Sequence, residues 1–117
     1  MNLAGESLIL SIIEMTAIPE NKKDILELLR FSVERLRTRT GCLSSAIYAT
    51  SDEKETILYL ERWRSAEEFH RHIQSNLYLG VLNAIDLADG PPEISFYEIS
   101  DTKSIELIVA LRSSGVV

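Results

Sequence analysis

Apolar residues along this chain fall into four short runs of period two and three stretches of helical spacing. The first run, Leu8–Ala17, is apolar on both alternating faces, with Leu8, Leu10 and Ile12 on one and Ile9, Ile13 and Met15 on the other. A strand with two apolar faces must be covered on both sides. Pro19 and Asn21 then open a segment in which Ile25, Leu28, Leu29, Val33 and Leu36 recur at helical spacing, ended by Gly41. Cys42–Thr50 reads as a second strand, the polar run Ser51–Glu55 as a hairpin loop, and Thr56–Trp63 as a third strand. Ser65 and Glu68 form the S-x-x-E pattern of a capping box, which stops that strand and starts a helix over Ala66–Ile73. Asn76 is placed to cap a further helical segment, Leu77–Leu87, which ends before the turn signal Asp89-Gly90-Pro91-Pro92; Ile94–Ile99 is the fourth strand.

The order β-α-β-β-α-β predicts an α+β, ferredoxin-like domain: a four-stranded antiparallel sheet with both main helices on one face. Its own helices cover only that face, so the doubly apolar first strand calls for something else to cover the other. Residues 1–6 read as a leader, 7–100 as the domain, and 101–117 as a C-terminal extension. The extension contains the apolar run Ile105–Leu111, either a strand or a short helix. It is expected to pack on a dimer, because an apolar run left in water is an aggregation hazard.

Composition narrows the function. With 117 residues, 45% apolar and 26% charged, the chain suits one packed soluble domain. A net charge of −6 argues against nucleic-acid binding, which depends on Lys and Arg displacing counterions. Arg30, Arg35, Arg37 and Arg39 are the one basic concentration and read as a solvated helix end. Cys42 is the sole cysteine, which excludes an intrachain disulfide and suits burial as a small hydrophobe. Leu8–Met15 lacks a basic flank and a cleavage site and is too short to span a bilayer. No membrane attachment is expected, and a cytoplasmic location is.

Chemically useful side chains concentrate in Glu61 to His72, ERWRSAEEFHRH. The strand period puts Tyr59, Glu61 and Trp63 on one face, and the helix that follows carries Phe69 and His72. An imidazole with an unperturbed pKa of roughly 6.5 suits proton transfer near neutral pH, so His72 is the candidate base. Glu68, four residues earlier, either orients that ring or serves only the capping box, which would leave His72 as a solvated surface residue. A buried Glu61 needs a partner, expected from another element such as Tyr48, Arg64 or a second subunit, and a structural ion pair is as open as a catalytic role. Tyr48, Tyr59, Phe69, Tyr78 and Phe96 add aromatic surface that suits a flat aromatic ligand, although each is ordinary as core. His70 and His72 are two apart on a helix, and there is no H-x-x-x-H pair and no glycine-rich phosphate loop. No metal site and no cofactor are therefore expected.

The pattern of Glu61, Trp63, Phe69 and His72 resembles the antibiotic biosynthesis monooxygenase family, in which a strand ends E-x-W/Y and the next helix carries F/L-x-x-H. The resemblance covers about Leu8 to Ile99. It implies that two sheets pair face to face as a homodimeric α+β barrel. It also implies a cofactor-independent monooxygenase that oxidises a small quinol, phenol or polyketide-like anthrone with O2. On that reading His72 is the base or the hydrogen-bond partner of the phenolate, Trp63, Phe69, Tyr48 and Tyr59 form the substrate pocket, and Glu61 and Glu68 stand behind them as orienting groups. Quinol-oxidising relatives often continue x-x-S-x-H-F; here Ser75 is followed by Asn76, Leu77 and Tyr78, so Leu77 stands where the second His would be. The places used by the heme-degrading branch fall on Glu14 or a neighbour, His72 and Leu82, with no axial His. Two other classes stay open: an isomerase or degradative enzyme for a small carbonyl metabolite, and a non-catalytic dimer that binds a small ligand.

Overall fold

Alternation of buried and half-buried residues along the first strand sets up the whole architecture. In the structure, a computed structural model that describes residues 7–50 and 53–114, β1 spans Leu8–Thr16. The leader 1–6, Ser51 and Asp52 of the hairpin loop and the last three residues lie outside the described residues. α1 follows at Pro19–Leu36, then β2 at Cys42–Ala49 and β3 at Thr56–Trp63. α2 spans Ala66–Ile73, a 3-10 turn Asn76–Tyr78 leads into α3 at Leu79–Leu87, β4 is Glu93–Ile99, and α4 is Ile105–Ser113. The strands are all antiparallel in the order β2-β3-β1-β4, which is the ferredoxin-like α+β topology expected from the pattern of elements.

Register decides which side chains meet. Ile13 pairs with Tyr59 and Ser11 with Glu61 across β1 and β3, so the odd-numbered residues of both strands line one face. On β1 these are Ile9, Ser11, Ile13 and Met15; on β3 they are Ile57, Tyr59, Glu61 and Trp63, and all eight are buried. α1 and α3 lie over that face, placing Ile25, Leu29, Val81 and Ala84 against Ile13, Ile57 and Tyr59. Fully burying each large aliphatic side chain contributes roughly 1.5–3 kcal/mol, so this layer supplies most of the drive to fold. A second, smaller cluster of Ile9, Leu36, Trp63 and Phe69 sits where the end of β3 meets α2.

Leu8, Leu10 and Ile12 of β1 and Leu58 and Leu60 of β3 point to the opposite face and are only half-buried. Tyr48 and Tyr97 flank them, more exposed still, on β2 and β4. No helix among the described residues covers this side. The tail is a helix, not a strand, and every residue of α4 is exposed, Ile105, Ile108 and Val109 by more than half.

Local signals account for the element ends. Ser65 caps α2, its hydroxyl accepting from Glu68 N at 3.3 Å and donating to Glu68 Oε1 at 3.1 Å. Asn76, expected as a cap, instead opens the 3-10 turn, and Tyr78 precedes α3 without a side-chain cap. A β-bulge separates Cys42 from Ser44 at the entry to β2. Gly41, just before it, has φ +92°, and its carbonyl accepts from Arg64 N at 2.8 Å.

A Cβ added at Gly41 would lie 2.2 Å from Glu68 Oε2, in a backbone region that L side chains rarely adopt. Gly41→Ala is therefore expected to destabilise the protein by about 1–3 kcal/mol. A urea midpoint equal to that of the wild type would show that this turn does not hold β2 to α2.

Candidate functional site

The period of two in β3 delivers Tyr59, Glu61 and Trp63 as a row beneath the helices. The capping box starts α2 two residues beyond the strand, so the helix comes down over that row with Phe69 and His72 on its inner side. Glu61 and His72 are 1% and 2% exposed, and an uncompensated carboxylate at such burial would be costly. Three donors compensate it: the Tyr59 hydroxyl to Oε2 at 2.5 Å, Trp63 Nε1 to Oε1 at 2.9 Å, and His72 Nε2 to Oε2 at 3.0 Å. Two of these come from Glu61's own strand at i±2 and the third from α2. The expected partners Tyr48 and Arg64 do not take part. Tyr48 pairs with Leu58 on the open face of the sheet and is 60% exposed, which removes it from the pocket as well.

The network assigns the histidine tautomer. A carboxylate that accepts from an indole N–H and a phenol O–H accepts a third time from His72, placing the ring proton on Nε2 and the lone pair on Nδ1. Nδ1 is buried and has no hydrogen-bond partner among the described residues. The ring is fixed by its neighbours: it stacks on Trp63 at 4.7 Å and 27°, and meets Tyr78 edge-on at 5.1 Å and 89°. Phe69 leans on Trp63 at 6.3 Å and on Phe96 of β4 at 5.2 Å. Burial, and then the negative charge of Glu61, push the Tyr78 phenol up to about 12 and raise Tyr59 well above the ordinary tyrosine range. The same two causes, in that order, push the half-buried Cys42 thiol up to about 11. All three hold their protons at neutral pH, and Cys42 is the small hydrophobe expected rather than a nucleophile.

Glu68 does not orient His72. Arg64 grips it through Nε at 2.9 Å and Nη2 at 2.8 Å, and these hydrogen bonds first, helped by Ser65, hold its carboxyl below the usual range. Its role is to bind the capping box to the turn after β3, while the carboxylate on the imidazole is Glu61. His72 is a buried residue and not a solvated one.

A cleft of about 410 Å³ opens beside this cluster, lined by Thr38, Arg39, Thr40, Trp63, Glu68, Arg71 and His72. Three of the predicted residues, Trp63, Glu68 and His72, line it; Tyr59, Glu61 and Phe69, the last expected as a pocket wall, are buried in the core and do not. The 38–40 segment and Arg71 were not legible as site residues. The segment is a loop brought to α2 by the long-range bond from Arg64 N to Gly41 O, and the arginines carry no spacing signal of their own. Tyr78 was visible only as an aromatic among others. Among the described residues no group of three or more His, Cys, Asp or Glu side chains is arranged to hold a metal ion. No helix among them is long and apolar enough to cross a membrane.

Comparison with known proteins bears on the fold and the family. A protein of Synechocystis, described only as uncharacterised, is 28% identical over 88 residues, 74% of this chain. The match spans 60% of that relative's length. A solved structure from Mycobacterium tuberculosis superposes with a TM-score of 0.74 at 22% identity, covering 84% of this chain and 100% of the other. A candidate antibiotic biosynthesis monooxygenase from Deinococcus radiodurans superposes with a TM-score of 0.69 at 22% identity, covering 83% of this chain and 97% of that one. At these identities the superpositions show a shared fold. The sequence model for antibiotic biosynthesis monooxygenases matches residues 8–82, from β1 into α3 and across the Glu61–His72 cluster. The chain belongs to the antibiotic biosynthesis monooxygenase family.

Proposed function

We propose that the protein is a cofactor-independent monooxygenase that oxidises a small hydroquinone, phenol or anthrone with O2, with His72 as its base. The observation that carries this reading is the unpartnered Nδ1 of His72, a lone pair aligned by Glu61 through the opposite nitrogen. In this chemistry the substrate supplies the electrons. Nδ1 takes the phenolic proton, the electron-rich phenolate passes one electron to O2, and the radical pair joins as a C–O bond. The imidazolium returns its proton to the distal oxygen, and the hydroperoxide collapses to a quinone: the oxygenated carbon loses its C–H proton as the O–O bond breaks, and that proton joins the departing hydroxide as water. One oxygen atom stays on the ring and the other leaves as water. Trp63 walls the ring, Phe69 backs Trp63 from the core, and burial of the cluster keeps water from the charged intermediates.

Burial of His72 also supports a second reading, in which Tyr59, Glu61, Trp63 and His72 are a polar core of a protein that binds a small ligand without catalysis. His72→Gln separates the two, because glutamine retains an N–H for Glu61 while lacking a basic lone pair. Oxygen uptake by a hydroquinone or anthrone is expected to fall by roughly 10²–10⁴ in this variant while it remains folded. Full activity in the variant would leave His72 with a structural role only.

The cluster ties stability to alkaline pH under either reading. Cys42, Tyr59 and Tyr78 hold their protons more tightly folded than unfolded, from ordinary values of 9.0 and 10.0. Above pH about 9 the unfolded chain sheds these protons first and binds fewer than the folded one, so stability falls as pH rises. The urea midpoint should hold up to about pH 8 and decline by about pH 10.5. A midpoint unchanged over that range would show that Glu61 and burial do not act on these groups.

A homodimer completes the proposal. The open face of the sheet, with a shallow groove of about 570 Å³ beside Leu10, Ile12 and Tyr97, and the wholly exposed α4 are two apolar surfaces that one copy leaves in water. An isolated helix of nine residues is marginal in water, so α4 gains its stability by packing on the assembly. Light scattering should give about twice the 13.2 kDa chain mass, and truncation after Ser100 should lower the melting temperature and solubility. A monomer at micromolar concentration would remove the barrel, and an unchanged melting curve would make α4 a free appendage.

A further inference from the structure

We infer that the cleft beside His72 takes an aromatic substrate bearing a carboxylate, recognised by Arg39 and Arg71. The inference deepens the proposed function and rests on it for the hydroxylated ring alone. The charge pattern is the starting observation. A chain of net charge −6 places two arginines and one glutamate on the wall of this cleft. The glutamate is already neutralised, since Arg64 holds Glu68 through two hydrogen bonds. Arg71 faces Glu67 at 3.6 Å between side chains that are 65% and 80% exposed, a pairing that a ligand exchanges at little cost. Arg39 has no ion pair among the described residues. The cleft thus keeps cationic donors in excess, with the hydroxyls of Thr38 and Thr40 beside them.

The backbone of Arg39 is anchored on both sides, and its exposed side chain leaves from the rim of the cleft. Its N–H donates to Leu36 O at 3.1 Å, its carbonyl accepts from Cys42 N at 3.3 Å, and Gly41 lies directly on Glu68. The turn therefore sets where the arginine leaves the backbone, within reach of the cleft. A guanidinium fork matches a carboxylate with two parallel hydrogen bonds, a geometry that a plain hydroxyl does not offer. Beneath the arginines, the stacked Trp63 and His72 rings form an aromatic wall. Aromatic wall and cationic rim together complement a hydroxyaromatic acid. The rim also favours phenolate over phenol in the bound ring, which assists the proton transfer assigned to His72.

The test is anaerobic calorimetric titration of the full chain with 2,5-dihydroxybenzoate and with 1,4-dihydroxybenzene, which differ by the carboxylate. The same titrations are made on Arg39→Gln, Arg71→Gln and the double variant, with melting curves to verify folding. The wild type is expected to bind the carboxylated ring roughly tenfold tighter or more, with an advantage that shrinks as salt is added. In the double variant the ratio of the two affinities should fall toward one. Equal affinities in the wild type, a ratio retained in the double variant, or no binding of either probe at millimolar concentration would overturn the inference. Oxygen uptake, measured separately, distinguishes the two claims. A carboxylate preference without oxygen uptake leaves this inference standing and removes the monooxygenase reading, whereas uptake without preference removes the inference alone.

Discussion

A single buried carboxylate constrains this end of the molecule. Glu61, at 1% exposure, is tolerable only because an indole, a phenol and an imidazole all donate to it. Losing one partner of a buried charge commonly costs several kcal/mol, so the positions of Tyr59, Trp63 and His72 are mutually dependent. That dependence reaches the histidine tautomer, the stacking of His72 on Trp63 and the placement of α2 over β3. It also divides the ring's two nitrogens, since Nε2 is committed to Glu61 and Nδ1 is buried without a hydrogen-bond partner among the described residues.

A second network holds the mouth of the cleft. Ser65 starts α2, Glu68 closes the capping box, Arg64 binds Glu68, and Arg64 N bonds to Gly41 O. Gly41 fits against Glu68 because it has no side chain and adopts φ +92°. The end of β3, the start of α2 and the loop from α1 thereby become one unit, and the backbone of Arg39 on that loop is held with it. The two networks meet at β3 and α2 yet use different faces: Glu61 orders the interior, Glu68 the rim.

Much of the fold was legible because its causes are local. Alternation marked β1 and β3, spacing of Ile25, Leu29 and Leu36 marked α1, and Ser65 with Glu68 marked the start of α2. The row of Tyr59, Glu61 and Trp63 follows from a period of two and needed no tertiary information. His72 was legible as a base candidate, though not as a buried one. Asn76 misled as a cap, because Ser75 and Tyr78 take the flanking positions of the 3-10 turn and of α3.

Tyr48 and Glu68 show where local reading stops. The bulge between Cys42 and Ser44 shifts register in β2, so Tyr48 pairs with Leu58 and faces away from the helices. Glu68 lies one helical turn before His72, but bidentate contact with Arg64 outcompetes any reach toward the imidazole. Sequence alone determined the element order, the two-sided apolar β1 and the identity of the chemical groups, since these depend on neighbours in the chain. Tertiary structure alone decided which carboxylate meets His72, which nitrogen is left unpartnered, and that a loop after α1 brings Arg39 to the cleft. Those outcomes depend on strand register and on contacts between residues far apart in the chain, which no local periodicity encodes.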